Sequence, residues 1–271
     1  MKPRSAVARM RKPAKIGAVL FLRFLCLTLF FALQTALVAH AADCNATVLR
    51  EIGEMPLGGQ YGTSRVATVA LVRAAHFESG KFFVLPAPDS PSFCSGATYL
   101  VFLKTIEQLR RDGRLKLDSD TLESLVIREG QHDGEGVWGR WNANGPGTAR
   151  LFYELRLGTN STDFATAKPG DFMKIFWTQE VGNTEHGHSV VYLGTETHDG
   201  EQYVHFWSSN VPAGYGEKSV PRGKIARVIF SRLEAPENLA RIKSVPEMDP
   251  YLAGLVTKRS SFPEALEKCG L

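Results

Sequence analysis

Residues 91–111, Pro-Ser-Phe-Cys-Ser-Gly-Ala-Thr-Tyr-Leu-Val-Phe-Leu-Lys-Thr-Ile-Glu-Gln-Leu-Arg-Arg, constrain the fold more than any other stretch. Ala97, Leu100, Val101, Leu103, Ile106 and Leu109 predict a helix that is apolar around most of its circumference, and such a helix is buried at the centre of a domain. Ser92 reads as its N-cap, which places Cys94 in the first turn. Glu107, Arg110 and Arg111 restore polarity at the far end, where cations suit the helix dipole. A thiol at the positive end of a buried helix is where a thiolate is electrostatically favoured. The plain alternative is a buried packing cysteine, so the presence of a base decides between the two.

The N-terminus reads as a targeting segment. Lys2, Arg4, Arg9, Arg11, Lys12 and Lys15 form a basic start, an apolar run follows from about Phe24 to Val38, and Ala39-His-Ala41 supplies small residues for signal-peptidase cleavage. The run is short for a membrane span. The expectation is therefore a signal peptide over 1–41, export to the periplasm or the exterior, and no stable membrane association after cleavage. Residues 1–41 hold seven Lys or Arg and no acid, so the formal charge of +4 becomes −3 in the remaining chain. No basic run survives to suggest nucleic-acid binding. The rest, 42–271, is long enough for one domain with a sizeable core. Cys44 and Cys269 stand near its two ends, and in an oxidising compartment they are expected to pair. That leaves Cys94 as the odd thiol. Oligomeric state is not legible.

Along this domain, 43–63 reads as irregular, 65–77 as a helix, 81–85 as a short extended piece, 118–128 as a helix and 148–157 as another. From Lys168 the pattern changes to strands over 171–178, 188–193, 202–208 and 224–232, with short helices at 236–242 and 262–268. Helices first and an antiparallel meander after them make an α+β domain with helices packed on a sheet. A Gly-rich stretch, Trp138-Gly-Arg-Trp-Asn-Ala-Asn-Gly-Pro-Gly147, has two readings. Either Trp138, Trp141, Arg140, Asn142 and Asn144 line a substrate groove, with Trp stacking and Arg gripping a carboxylate, or the aromatics cap the core.

A nucleophilic Cys needs a base, and the base needs orienting. His76 lies in an apolar helix, and His132 and His198 sit in Asp- and Gly-flanked loops. Of His186, His188 and His205, His188 is best placed, because it opens a strand after the turn Gly182-Asn-Thr-Glu-His-Gly187. The next strand ends Phe206-Trp-Ser-Ser-Asn210. Asn210, with Ser208 second, is expected to hold the imidazole as the third member of a triad. His205 and Trp207 fall on the opposite strand face.

Three of these segments, in this order, resemble the NlpC-type bacterial cell-wall cysteine peptidases. Phe93-Cys-Ser-Gly-Ala97 is similar to their nucleophile motif. Lys168-Pro-Gly-Asp-Phe-Met-Lys-Ile-Phe-Trp177 is similar to the turn and strand before their histidine, and His188-Ser-Val-Val-Tyr-Leu-Gly194 to the histidine strand. The resemblance covers about 90–210 and implies a papain-like fold, a triad of Cys94, His188 and a polar residue, and hydrolysis of amide bonds in peptidoglycan peptides. The chain departs from the family in having Phe93 where an Asp usually precedes the Cys, and in the long stretch between Cys94 and His188. No metal or organic cofactor is implied. Three other readings use the same residues. Glu185-His-Gly-His188 with His198 or His205 resembles a metal-ligand spacing, the Trp-rich stretch would suit a catalytically silent binding module, and the same triad would serve acyl transfer.

Overall fold

In a computed structural model of the chain, which describes residues 44–78 and 81–271, the two periodicities of the sequence sort into a helical layer and a sheet. The described residues fall in one unit, 41–271. The expected signal peptide lies outside them. In chain order the elements are α1 (44–53), β1 (Gly58–Gly59), α2 (Arg65–Ala74), β2 (Ala75–Glu78), β3 (Lys81–Val84) and α3 (Cys94–Arg111). Then come α4 (Ser119–Glu123), α5 (Gly136–Asn142), α6 (Gly147–Leu155), β4 (Gly158–Ser161), β5 (Phe172–Phe176), β6 (Val181–Gly182) and β7 (His188–His198). The chain ends with β8 (Glu201–Asn210), β9 (Gly214–Pro221), β10 (Arg227–Leu233), α7 (Pro250–Gly254), β11 (Arg259–Ser260) and α8 (Phe262–Lys268). Seven strands form one antiparallel sheet in the order β1-β9-β8-β7-β5-β10-β4. The chain is thus α+β.

Strand β5 shows how the sequence builds both faces. All five of its residues are buried, but Phe172 and Phe176 pack with the helices while Met173 and Ile175 join Val190, Tyr192, Val204 and Phe206 on the other face. Alternate residues of a strand point to opposite faces, so a two-sided core demands a continuous apolar run. Against the first face lies α3, whose Leu100, Val101, Phe102, Leu103 and Ile106 are wholly buried. Each such side chain contributes roughly 1.5–3 kcal/mol by leaving water. That burial makes α3 the axle of the fold and fixes where its first turn, with Cys94, meets the sheet.

The turn into β5 is locked by charge. Asp171, 1 % exposed, accepts two hydrogen bonds from the Arg232 guanidinium at 2.8 Å each and one from Asn45 Nδ2 at 2.8 Å. Gly170 adopts φ +94°, and a Cβ there would meet the Asn45 carbonyl oxygen at 2.8 Å, so the Pro-Gly-Asp turn needs its glycine.

Several expectations change. Residues 44–53 are helical rather than irregular, with Cys44, Val48 and Ile52 on one buried stripe. The Gly-rich stretch begins as α5, and β9 adds a strand that the sequence pattern did not suggest. Strand β7 runs on past an irregularity at Tyr192–Gly194 instead of stopping at Leu193. The helix at 236–244 is a 3₁₀ helix. Ser92 does not cap α3, since the N-cap is Phe93. Its hydroxyl instead donates to Ser209 Oγ at 2.8 Å. No disulfide joins Cys44 to Cys269. The two thiols are buried in different apolar clusters, Cys44 against α3 and its neighbours and Cys269 with Phe176, Leu252 and Leu255.

Candidate active site

The end of β8 approaches the start of β7 and the first turn of α3. Ser209 Oγ donates to the Ser92 carbonyl at 2.9 Å, and Ser92 is bridged to Tyr61, so the segment entering α3 is tied to the residue beside Asn210. His188 and Asn210 then meet, with Nε2 3.1 Å from Asn210 Oδ1. The Asn210 amide is itself oriented, because Nδ2 donates to the Gly216 carbonyl at 2.8 Å and to that of Ser208 at 3.3 Å. Its oxygen must therefore face the ring, which puts the proton on Nε2 and leaves Nδ1 for the thiol. Phe206 holds the ring edge-on at 5.5 Å between centroids, and Trp177 lies nearly parallel to it at 6.3 Å.

Burial by itself pushes the Cys94 thiol up. His188 is the group that acts most strongly against burial, with the Lys174 charge and the Ser189 main chain after it, and together they lower the thiol to about 6. The positive end of α3 acts in the same direction. The balance of these groups favours the thiolate over the neutral thiol. At the start of α3, the N–H groups of Cys94, Ser95 and Gly96 precede the first intrahelical donor, Ala97, whose N–H bonds the Phe93 carbonyl at 2.9 Å. They are the free amides of a helix start.

The other expected site residues divide. Ser208 donates its hydroxyl to the Ser189 carbonyl at 2.7 Å, so it braces β7 against β8 and does not hold the ring. Trp138, Trp141 and Arg140 are no groove wall. Trp138 and Trp141 are 5 % and 1 % exposed and pack on Tyr99. Arg140 is fully buried, paired to Glu154 at 2.8 Å and bonded to the carbonyls of Gly134, Gly136, Pro246 and Glu247. The burial of the two tryptophans fits the core-capping reading. Asn142 does touch the thiol-bearing turn, and Asn144 is joined to Asn142 through Asp133 and donates its side-chain amide to the Asn183 carbonyl at 2.9 Å. Asn142 Oδ1 accepts from Ser95 Oγ at 2.7 Å, and Asp133 accepts from Asn142 Nδ2 and the Asn144 N–H. The alternative metal ligands are not assembled. His188 is engaged by Asn210, Glu185 is buried against Thr178, and His205 sits between Glu196 and Glu217. No group of three or more His, Cys, Asp or Glu among the described residues is placed to hold a metal ion.

Two residues at the site were not expected there from the sequence, Tyr61 and Lys174. Tyr61 is the phenol that Cys94 acts on. Burial, then the charge and hydrogen bonding of Cys94, push Tyr61 up to about 12, so it remains a donor across the working pH range. Lys174 is buried in the middle of β5. Its signal in the sequence is a lone charge inside Phe172-Met-Lys-Ile-Phe176, on the same strand face as the two phenylalanines. A pocket of about 170 Å³ opens beside His188, lined by Tyr61, Trp177, Phe206, Asn210, Val211 and Lys218 among others.

No protein-family model, no curated protein and no solved structure matches the chain.

Proposed function

We propose that the protein is an exported cysteine hydrolase of papain-like architecture that cleaves amide bonds, with peptidoglycan peptides as the substrate class. One observation carries the reading. A thiol at a helix start, lowered to about 6 by the influence of His188, stands with a histidine that is held in turn by an oriented asparagine. That is the arrangement acyl-transfer chemistry requires of a nucleophile, a base and a group orienting the base.

In the proposed reaction the Cys94 thiolate attacks the amide carbon, and the negative oxygen that forms is met by the helix-start N–H groups and the Tyr61 hydroxyl. The His188 imidazolium gives its proton to the leaving nitrogen as the C–N bond breaks, leaving a thioester on Cys94 and a free amine. Neutral His188 then takes a proton from water, the resulting hydroxide equivalent attacks the thioester, and the carboxylic acid and the thiolate are released. The pocket beside His188, with its aromatic face at Trp177 and the Lys218 cation, fits a substrate segment carrying apolar and anionic groups. The peptidoglycan assignment rests on the NlpC-type resemblance of the three motifs.

The test is release of a new amine from soluble peptidoglycan peptides by the chain lacking residues 1–41. Cys94→Ser is expected to abolish release, and a thioester adduct is expected on Cys94 by mass spectrometry of quenched reactions. Undiminished cleavage by Cys94→Ser would contradict the assignment.

A further inference from the structure

We propose that Lys174 is a positioning residue for the candidate nucleophile, a buried ammonium that, together with His188, holds the Cys94 sulfur as thiolate. The proposal rests on the Cys94–His188 reading above. Register places it. Lys174 is the β5 partner of Ser189 in β7, and the Ser189 main chain acts on the Cys94 thiol. Two-residue alternation turns Lys174 toward the helical layer with Phe172 and Phe176.

The side chain is enclosed and incompletely paired. Lys174 is only 8 % exposed, and its Nζ donates to the His186 carbonyl at 3.2 Å. Gly187, at φ +49°, folds its backbone over the ammonium, and a Cβ there would meet Nζ at 2.9 Å and Cε at 2.7 Å. Among the described residues Lys174 forms no ion pair within 4.0 Å. The negative groups facing it are Cys94 from α3, Glu185 from the turn before β7 and Asp133 from the segment before α5. Neither carboxylate is within ion-pair distance of the ammonium. Asp133 accepts from Asn142 and Asn144, and Glu185 has one oxygen bonded to Thr178 at 2.9 Å and the other without a hydrogen-bond partner among the described residues. A methionine would fill the same volume without the cost of an enclosed charge. Burial pushes the Lys174 ammonium down, and the charges of Cys94, Glu185 and Asp133, in that order, push it back up, so the lysine and the thiolate sustain each other's charge. The sulfur is faced by His188 from β7, Lys174 from β5 and Tyr61 from the segment after β1, so Lys174 is the cation that does not depend on the histidine's protonation.

The experiment is a thiolate absorbance titration of the folded protein as wild type, Lys174→Met, Lys174→Arg and His188→Ala. Lys174→Met is expected to raise the Cys94 midpoint by about one pH unit, roughly a tenfold loss of thiolate below the midpoint. Lys174→Arg is expected to keep the wild-type midpoint, because it retains the charge. A Lys174→Met midpoint equal to that of wild type, with His188→Ala raised, overturns this inference and leaves the Cys–His pair standing. A wild-type thiol titrating like a free one overturns both. The coupling is also reciprocal, which gives a measurement that needs no Lys174 variant to fold. The Lys174 Nζ, followed by NMR, should titrate about one unit lower in Cys94→Ser than in wild type, and an unchanged lysine would overturn the proposal.

Discussion

Asn210 commits both amide hydrogens to main-chain carbonyls, and that leaves only its oxygen for the His188 ring. The tautomer that presents Nδ1 to the thiol is therefore fixed from β8. Asn210→Ala is expected to lower kcat by roughly 10²-fold, with the protein still folded by circular dichroism. Loss confined to KM would contradict an orienting function. At this scale the sequence was legible where a residue type carries chemistry at an element boundary: Cys94 at a helix start, His188 at a strand start, Asn210 at a strand end. It was not legible for Tyr61, which is brought to the site by a parallel bridge to Ser92 far along the chain. Arg140 misleads for the same reason. A cation among glycines looks exposed, and its burial depends on Glu154, on the Gly134 and Gly136 carbonyls and on carbonyls at 246–247 brought in from a distant segment.

The elements that escaped the pattern are those stabilised by partners rather than by their own periodicity. Strand β9, Gly-Tyr-Gly-Glu-Lys-Ser-Val-Pro, has little apolar alternation and is held by its ladder with β8. Helix α5 is short and glycine-bearing, and it persists because Trp138 and Trp141 anchor it to α3 through Tyr99. By contrast α3, β5, β7, β8 and β10 announce themselves, since each carries a dense apolar face. Arg140 ties α5 to α6 through Glu154 and to the 246–247 segment. Arg140→Ala leaves Glu154 short of a buried partner, and its expected cost is about 3–5 kcal/mol. Equilibrium unfolding in urea measures it, and a change below about 1 kcal/mol, the range of an exposed ion pair, would show the guanidinium to be an exposed binding group after all.

Across the whole molecule, a helical layer over one sheet face carries the nucleophile, while the sheet itself carries the base and the group that orients it. The architecture was foreseeable as helices first and meander after. The expected tie between Cys44 and Cys269 was not realised, because each thiol packs in its own apolar cluster. The thermal midpoint is accordingly expected to be the same with and without dithiothreitol, and a lower midpoint on reduction would reveal a disulfide. The central claim is that Cys94 is a thiolate made by His188, and it is tested most directly by the pH dependence of Cys94 alkylation by iodoacetamide in the folded protein. A thiol lowered in the folded state loses its proton as pH rises through that lower value, so the rate should climb through a midpoint of about 6 and level off by neutrality. In His188→Ala the midpoint should move up toward the free-thiol range. A wild-type cysteine inert until the protein unfolds, or a profile unchanged by the mutation, would contradict the account.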